Sequence, residues 1–321
     1  MSPSPRSRPP RHLPALIELR ARMLHRLPQH PAWASREARL ADALRAHFAD
    51  VPPELRRIDT GSARPLLNWI VRHEAVHAIR ALRDLHRRLD ADRRCYGLIA
   101  AALPEEPLAF TEVALTRGLA ADVAAILDTN SPTADPGSCD CAMFYSISSC
   151  HDGLRGVPFG NMLIRRVVNA LQAELPQIRT FATVSPIPGF RPWLDRAAGG
   201  VADAVRLLDE DGWRRRADEA ARLEIDVLPL CASYLLQAKR GAEPLDPVAR
   251  FHLGNGARLE GINWLGDTTA AGLKRSAGIT ANYVYDLETI DRNSAAYHAD
   301  GLIDAAPPVT SLADRMTIRA A

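Results

Sequence analysis

The chain has little of several features that mark particular classes of protein. It holds five cysteines in 321 residues, an odd number that is too small to staple a chain of this length, so we expect no disulfides. No apolar run approaches the roughly 18 residues of a membrane-spanning helix, and we expect no membrane partner. Lys and Arg total 40 against 38 Asp and Glu, a net charge of +2, which gives no bulk reason to expect nucleic acid.

The N-terminal region favours a cytoplasmic location. No leader with a long apolar core is visible, and the low cysteine usage fits a reducing compartment. The first thirty residues are rich in Arg, Pro and Ser, which weakly imitates an organelle transit peptide. However, four early prolines would break the amphipathic helix that such a peptide needs, namely Pro3, Pro5, Pro9 and Pro10. We therefore interpret the N-terminal tip that carries these prolines as disordered.

Apolar periodicity gives the order of elements. Spacings of three and four residues predict several short helices over 13–89, and β-rich runs at 95–103 and 108–115 predict a hairpin. Beyond it we predict helices over 119–127, 159–175, 193–239, 246–253 and 264–277, and strands over 143–149, 178–184 and 282–287. This order predicts an α+β fold, with a helical N-terminal domain at 1–90 and a mixed-sheet domain with a helical insertion at 91–321.

A turn between a predicted strand and helix has the composition of a phosphate-binding turn. Its residues are Arg155, Gly156, Val157, Pro158, Phe159, Gly160 and Asn161, here called the 155–161 turn. Backbone N–H groups at a helix N-terminus can receive phosphate oxygens, and glycines allow close approach. The glycine spacing does not fit a Rossmann turn, and many strand-to-helix turns carry glycines for steric reasons alone.

The spacing resembles the acyl-CoA turn of the GNAT acetyltransferase fold, with Arg155 and Gly160 at its first and last positions and Pro158 in place of its middle glycine. A narrower resemblance is to the malonyl-CoA decarboxylase family. The blocks that carry it, in order, are 74–77, 92–95, 110–115, 144–148, 153–157, 163–168, 185–190, 251–257, 262–264 and 281–285. The resemblance implies a GNAT-like catalytic domain after a shortened helical domain.

The same resemblance implies a catalytic Ser/His pair, matched here by Ser185 and His252, and an active-site tyrosine, matched by Tyr285. It also implies binding of the CoA pyrophosphate by the 155–161 turn. Decarboxylation of a malonyl thioester leaves an enolate that needs a proton, and a histidine can supply one near neutral pH. Family members carry a glutamate at the position of Pro158, which puts proton relay and substrate orientation in question.

Each of these residues also has a purely structural interpretation. A serine before proline is most often a turn residue, and a histidine between Phe251 and Leu253 is most often buried and satisfied by backbone. Tyr283 and Tyr285 fall on one face of a predicted strand, where shared packing is the simple interpretation.

Two patterns could be mistaken for metal sites. His73, Glu74 and His77 satisfy the zinc-protease pattern on a predicted helix, but the extended form fails, and a structural helix is the better interpretation. Cys139, Cys141 and Cys150 with His151 could supply soft ligands, but they lack two well-spaced pairs. We predict no metal ligand.

The favoured hypothesis is an enzyme that converts malonyl-CoA to acetyl-CoA and CO2 without a metal or organic cofactor. One alternative is a decarboxylating N-acetyltransferase that passes the acetyl group to an amine, such as a hydroxyornithine in siderophore biosynthesis. A more distant alternative is a non-catalytic acyl-CoA-binding protein. We expect a homo-oligomer, since helical N-terminal domains often mediate assembly.

Overall fold

A computed structural model describes residues 12–196, 202–210 and 212–320. The predicted disordered tip therefore lies outside the described residues, as do short parts of the predicted 193–239 helical region. The helices are α1 (Leu13–Arg26), α2 (Ala34–Asp50), α3 (Arg64–His73), α4 (Leu82–Arg88), α5 (Val123–Leu127), α6 (Phe159–Glu174), α7 (Phe190–Leu194), α8 (Ala202–Asp209), α9 (Ala217–Leu236), α10 (Pro247–Gly254), α11 (Ala270–Ser276), α12 (Ile290–Asp300) and α13 (Pro307–Ala320).

The strands are β1 (Glu54–Ile58), β2 (Arg93–Ile99), β3 (Ala109–Thr116), β4 (Cys141–Ser149), β5 (Thr180–Thr183), β6 (Ser185–Pro186), β7 (Lys239–Arg240), β8 (Glu243–Pro244), β9 (Arg258–Asn263) and β10 (Thr280–Val284). The chain divides into two compact units. Of the described residues, the first contains 12–114, 133–137 and 146–176, and the second contains 115–132, 138–145 and the described part of 177–320.

The first unit pairs β1 with β2 and β2 with β3, both antiparallel. Helix α6 packs on β1 and β2, and its last residue, Glu174, accepts a 2.8 Å hydrogen bond from Arg94 Nη2. The core of this unit lies under α3 and α4 and contains Ile58, Leu66, Ile70, Leu85, Cys95 and Phe110. Burial of such side chains stabilises the unit by about 1.5–3 kcal/mol each.

The second unit has a mixed sheet. Strands β4 and β5 are parallel, while β10 pairs antiparallel with β5, β6 and β9. Helix α9 packs against α7, α13 and β9, and it contributes the fully buried Leu235 and Tyr234 to the core. Helices together with a mixed sheet confirm the predicted α+β class. None of the helices in the described ranges is long and apolar enough to span a membrane.

Several predicted elements need correction. Strand β1 lies in a stretch that was predicted as helical. The prediction missed it because its Arg and Glu side chains point to solvent and conceal the pattern of an edge strand. The helix predicted over 119–127 starts only at Val123, where Asp122 caps it. Strand β9 was not predicted, and the helix predicted from 264 begins at Ala270. The boundary predicted at residue 90 lies within the first unit and stays a prediction about domains.

Candidate functional site

Ser185 lies in the second unit's sheet, on β6 beside β10. It begins β6 directly opposite Ala281 of β10, and 6% of its surface is exposed. Pro186 and Pro188 follow it and limit the backbone conformations of the turn. The turn ends at Gly189, where a Cβ atom would come within 2.1 Å of Tyr234 Oη, so only glycine fits. The Ser185 hydroxyl is therefore held in a buried, rigid segment.

His252 lies on α10, whose start is fixed by Asp246. One carboxyl oxygen, Oδ1, accepts 2.9 Å hydrogen bonds from the N–H groups of Val248 and Ala249 and caps the helix. The other, Oδ2, accepts a 3.1 Å bond from the N–H of Gly189. This fully buried residue thus ties the helix that carries His252 to the turn that follows Ser185.

The three residues predicted as catalytic form one hydrogen-bonded chain. Ser185 Oγ lies 3.1 Å from His252 Nε2, and His252 Nδ1 lies 2.7 Å from Tyr285 Oη. Both His252 and Tyr285 are buried. Tyr283 stacks on the imidazole, with 4.6 Å between ring centroids and 22° between planes. The structure therefore brings together Ser185, His252 and Tyr285, although 67 and 33 residues separate the bonded pairs.

Burial determines the protonation of this chain. It lowers the pKa of His252 to about 3, because a charged imidazolium would lose its hydration without gaining a carboxylate partner. It also raises the pKa of Tyr285, which disfavours the phenolate. The imidazole is uncharged near neutral pH, so any proton that it gives comes from a neutral N–H group.

The 155–161 turn lies in the first unit and is shaped by its backbone. Gly156 has φ +80°, a conformation that favours glycine. Arg20 of α1 donates to the carbonyls of Gly153 and Arg155 at 2.8 and 2.7 Å. Pro158 precedes the first residue of α6, Phe159, whose N–H bonds the carbonyl of Val157 at 2.8 Å, and the next N–H groups, of Gly160 and Asn161, have no acceptor within the helix. This helix start is a suitable place for an anion.

The side chains of this turn have different surroundings. Phe159 is buried edge-on against Phe48, and Asn161 Oδ1 accepts a 2.8 Å bond from Arg165. Arg155 is exposed and lies 3.7 Å from Asp152. Backbone N–H groups and the Arg155 guanidinium are therefore the groups of this turn that are best suited to meet phosphate.

The sequence matches one family over most of its length. A model described as the malonyl-CoA decarboxylase C-terminal domain matches residues 53–320. The chain belongs to the malonyl-CoA decarboxylase family. The goose protein (Anser anser anser) named "Malonyl-CoA decarboxylase, mitochondrial" is 38% identical over 80% of this chain, and the rat protein (Rattus norvegicus) of that name is 33% identical over 92%. The chain spans 57% of the goose relative and 67% of the rat relative.

Solved structures of family members agree with the fold. The malonyl-CoA decarboxylase of Rhodopseudomonas palustris is 40% identical with a TM-score of 0.87, and 94% of this chain and 76% of that chain are covered. The Agrobacterium vitis enzyme is 36% identical with a TM-score of 0.89, and 95% and 77% are covered. Both similarities extend beyond the matched family domain.

The zinc-protease pattern does not lie on a helix, which corrects the prediction of a helix there. Helix α3 ends at His73, whose Nδ1 bonds the carbonyl of Trp69. Glu74 is extended, and its Oε1 accepts from the N–H groups of Val76 and His77 at 2.8 and 2.7 Å. The carboxyl group therefore organises a turn, so the two histidines do not have the i, i+4 geometry of a zinc site.

The cysteines are buried free thiols. Burial raises the pKa of Cys141 to about 11 and that of Cys150 to about 12, so both thiols are protonated near neutral pH. Within residues 12–196, 202–210 and 212–320, no group of three or more His, Cys, Asp or Glu side chains could hold a metal ion.

Sequence reasoning missed two residues that hold the candidate site in place, Asp246 and Thr183. Asp246 could have been suspected from its position before Pro247, since Asp followed by proline is a common helix start. Thr183 lies two residues before Ser185 on the same strand path, so the period of two places both side chains on one face. Its hydroxyl oxygen lies 2.9 Å from Ser185 Oγ.

Proposed function

We propose that the chain binds malonyl-CoA and decarboxylates it to acetyl-CoA and CO2. The observation that carries this proposal is the buried chain of hydrogen bonds from Ser185 through His252 to Tyr285 in a member of the malonyl-CoA decarboxylase family. Family membership alone would support only the class of reaction. The hydrogen-bonded chain adds named groups with the chemistry that the reaction needs.

The reaction breaks the bond between C2 and the malonyl carboxyl carbon. Its electron pair stays with the acyl group as a thioester enolate, CO2 leaves, and C2 must then gain a proton. A dry site favours these steps because water no longer stabilises the departing carboxylate. Ser185 and His252 are both more than nine-tenths buried, which suits this requirement.

In this proposal Ser185 delivers the proton to C2. The O–H bond of Ser185 breaks as the C2–H bond forms, and the serine oxygen takes the proton of His252 Nε2. Tyr285 Oη gives its proton to Nδ1 as Nε2 loses its own, so the ring stays neutral and the negative charge passes to the phenolic oxygen. Solvent finally supplies the one proton that the overall reaction consumes. The imidazole acts as a relay, in keeping with its lowered pKa.

The 155–161 turn would bind the CoA pyrophosphate with the N–H groups of Gly160 and Asn161 and with Arg155. Because Arg155 is exposed, its removal should raise the KM for malonyl-CoA only about two- to fivefold, with kcat unchanged. Arg22→Ala is a matched control, since Arg22 is also an exposed arginine with a nearby carboxyl group, that of Glu18. An unchanged KM in Arg155→Ala would remove this residue from the proposal.

The assay follows CO2, acetyl-CoA and free CoA after malonyl-CoA is added to the purified chain. We expect equal amounts of CO2 and acetyl-CoA, with no dependence on added amine. Free CoA that forms only with an amine such as hydroxyornithine would replace the proposal with acetyl transfer. Tight CoA binding with no turnover would overturn the proposed activity.

We also propose that the chain functions in the cytoplasm as a homo-oligomer and without a metal or organic cofactor. The five free thiols fit a reducing compartment. Subcellular fractionation tests the location, and sedimentation at several concentrations tests assembly. Full activity after dialysis against a chelator is expected, and loss that zinc restores would contradict the cofactor proposal.

A further inference from the structure

The strand ladder next to Ser185 is modified at Thr183. Ala182 pairs with Val284 and Ser185 pairs with Ala281, so Thr183 lies between these two points of contact. There the N–H of Tyr283 bonds the side-chain Oγ1 of Thr183 at 3.2 Å. A side-chain oxygen thus takes the place of a backbone carbonyl in the ladder, and this fixes the threonine rotamer.

The backbone of Thr183 is also held by a side chain. Asn282 donates from Nδ2 to the carbonyl of Thr183 at 2.7 Å and to that of Ala120 at 2.9 Å. Its own Oδ1 accepts a 2.8 Å bond from Asn263. Thr183 is 1% exposed, so water does not compete for these groups. Both the backbone and the hydroxyl oxygen of Thr183 therefore have one arrangement.

Thr183 Oγ1 accepts the hydroxyl proton of Ser185 at 2.9 Å. A serine hydroxyl has a single proton, so Ser185 Oγ can only accept in its 3.1 Å bond with His252 Nε2. The ring must then carry its proton on Nε2. A neutral imidazole has one N–H group, so Nδ1 accepts the proton of Tyr285 in their 2.7 Å bond.

We propose that Thr183 is a positioning residue that sets the direction of the hydrogen bonds through Ser185, His252 and Tyr285 and holds His252 as the Nε2–H tautomer. Every donor in the chain then points from Tyr285 toward Ser185. Protons move along such a chain in this direction. When a base is present, the Ser185 hydroxyl breaks its bond to Thr183 and gives its proton to that base, and Nε2–H replaces it. The opposite direction would make Ser185 donate to the ring, as an activated nucleophile does.

The tautomer can be measured without turnover. In protein labelled with 15N-histidine, long-range proton–nitrogen NMR separates protonated from unprotonated ring nitrogens, and His252→Asn assigns the signals. We expect a protonated Nε2 and an unprotonated Nδ1 in the wild type. Thr183→Val, which replaces the hydroxyl by a methyl group, should shift the ring toward Nδ1–H because Ser185 can then donate to Nε2. Thr183→Ser should keep the wild-type pattern.

The kinetic readout rests on the proposed function. Thr183→Val should lower kcat about tenfold or more with little change in KM, and Thr183→Ser should recover most of the rate. A wild-type Nδ1–H tautomer would overturn the proposal, and so would a Thr183→Val ring that stays Nε2–H. If Thr183→Val does not fold, the wild-type spectrum alone decides. If the wild type does not decarboxylate malonyl-CoA, the proposed function fails, while the spectra still test Thr183.

Discussion

Two buried clusters in this chain are built from similar side chains, yet their hydrogen bonds differ in kind. In the first unit, Glu74 receives two backbone N–H groups on Oε1 and the hydroxyl of Ser146 on Oε2 at 2.6 Å. In the second unit, Ser185, His252 and Tyr285 bond one another in a line. We call these the Glu74 cluster and the His252 cluster.

The difference lies in what each cluster can do with a proton. The oxygens of Glu74 are occupied by donors that belong to the local fold, and two of these are backbone groups that cannot give up their protons. The His252 cluster consists of side chains that can each donate or accept, and its ring has a strongly lowered pKa. The first arrangement stabilises a turn, whereas the second can move a proton.

We expect the largest effect on catalytic rate, from substitutions in the His252 cluster and not in the Glu74 cluster. Ser185→Ala and His252→Asn should each lower kcat for malonyl-CoA by about 10²- to 10⁴-fold, because each removes a group that transfers the proton. Glu74→Ala should stay within about threefold of the wild-type rate. Circular dichroism at the assay temperature checks that each variant is folded. A full rate in Ser185→Ala would refute the role given to the His252 cluster.

The next largest effect is on stability, and here we expect the substitution in the Glu74 cluster to have the larger effect. Glu74→Ala leaves the N–H groups of Val76 and His77 and the hydroxyl of Ser146 without their acceptor, which should cost about 1–3 kcal/mol of unfolding free energy. Urea unfolding followed by fluorescence measures this cost. Glu74→Gln retains an acceptor oxygen and should lose less. A Glu74→Ala chain as stable as the wild type would mean that this carboxyl group does not organise the turn.

Acid should affect the His252 cluster through its buried ring. The folded pKa of His252, about 3, lies below the ordinary histidine value of 6.5, so the unfolded chain binds the additional proton between these values. Stability from this group is complete above pH 6.5 and falls as the pH drops, by about 1.4 kcal/mol per pH unit. Urea unfolding at pH 5, 6 and 7 gives the unfolding free energy at each pH. This free energy should change less steeply with pH in His252→Asn than in the wild type. Ser185→Ala keeps the ring and should keep the slope, so equal slopes in all three proteins would contradict the assignment.

Local sequence patterns predicted the longer elements of the fold, since helix α6 has a clear helical period and strand β4 begins with a short apolar run. They did not predict the end of α3, because the turn at Glu74 depends on Ser146, which lies 72 residues away. Edge strands such as β1 were hidden by their charged side chains. Propensity describes neighbours in sequence, whereas these features depend on tertiary partners.

In the candidate site, too, some features could be predicted from sequence and others depend on tertiary contacts. Ser185, His252 and Tyr285 came from the order of family-like blocks, since none of them stands out by its immediate neighbours. The structure supplies their contacts and the partners Thr183 and Asp246. Sequence could not give the direction of the hydrogen bonds, because that direction depends on the bond that Ser185 donates to Thr183 within the folded sheet.

We expect the smallest effect from a serine-to-alanine substitution in the Glu74 cluster, at Ser148. Ser148 Oγ accepts a 3.2 Å bond from the N–H of Ala75 and donates to Glu74 Oε2 at 3.4 Å, so both partners stay within the Glu74 cluster. Ser148→Ala should cost about 0.5–1.5 kcal/mol in urea unfolding and leave kcat unchanged. Ser185→Ala makes the matched change at the other buried serine and should lower kcat instead. A large loss of rate in Ser148→Ala would show that the Glu74 cluster also takes part in the chemistry, and the distinction between the two clusters would fail.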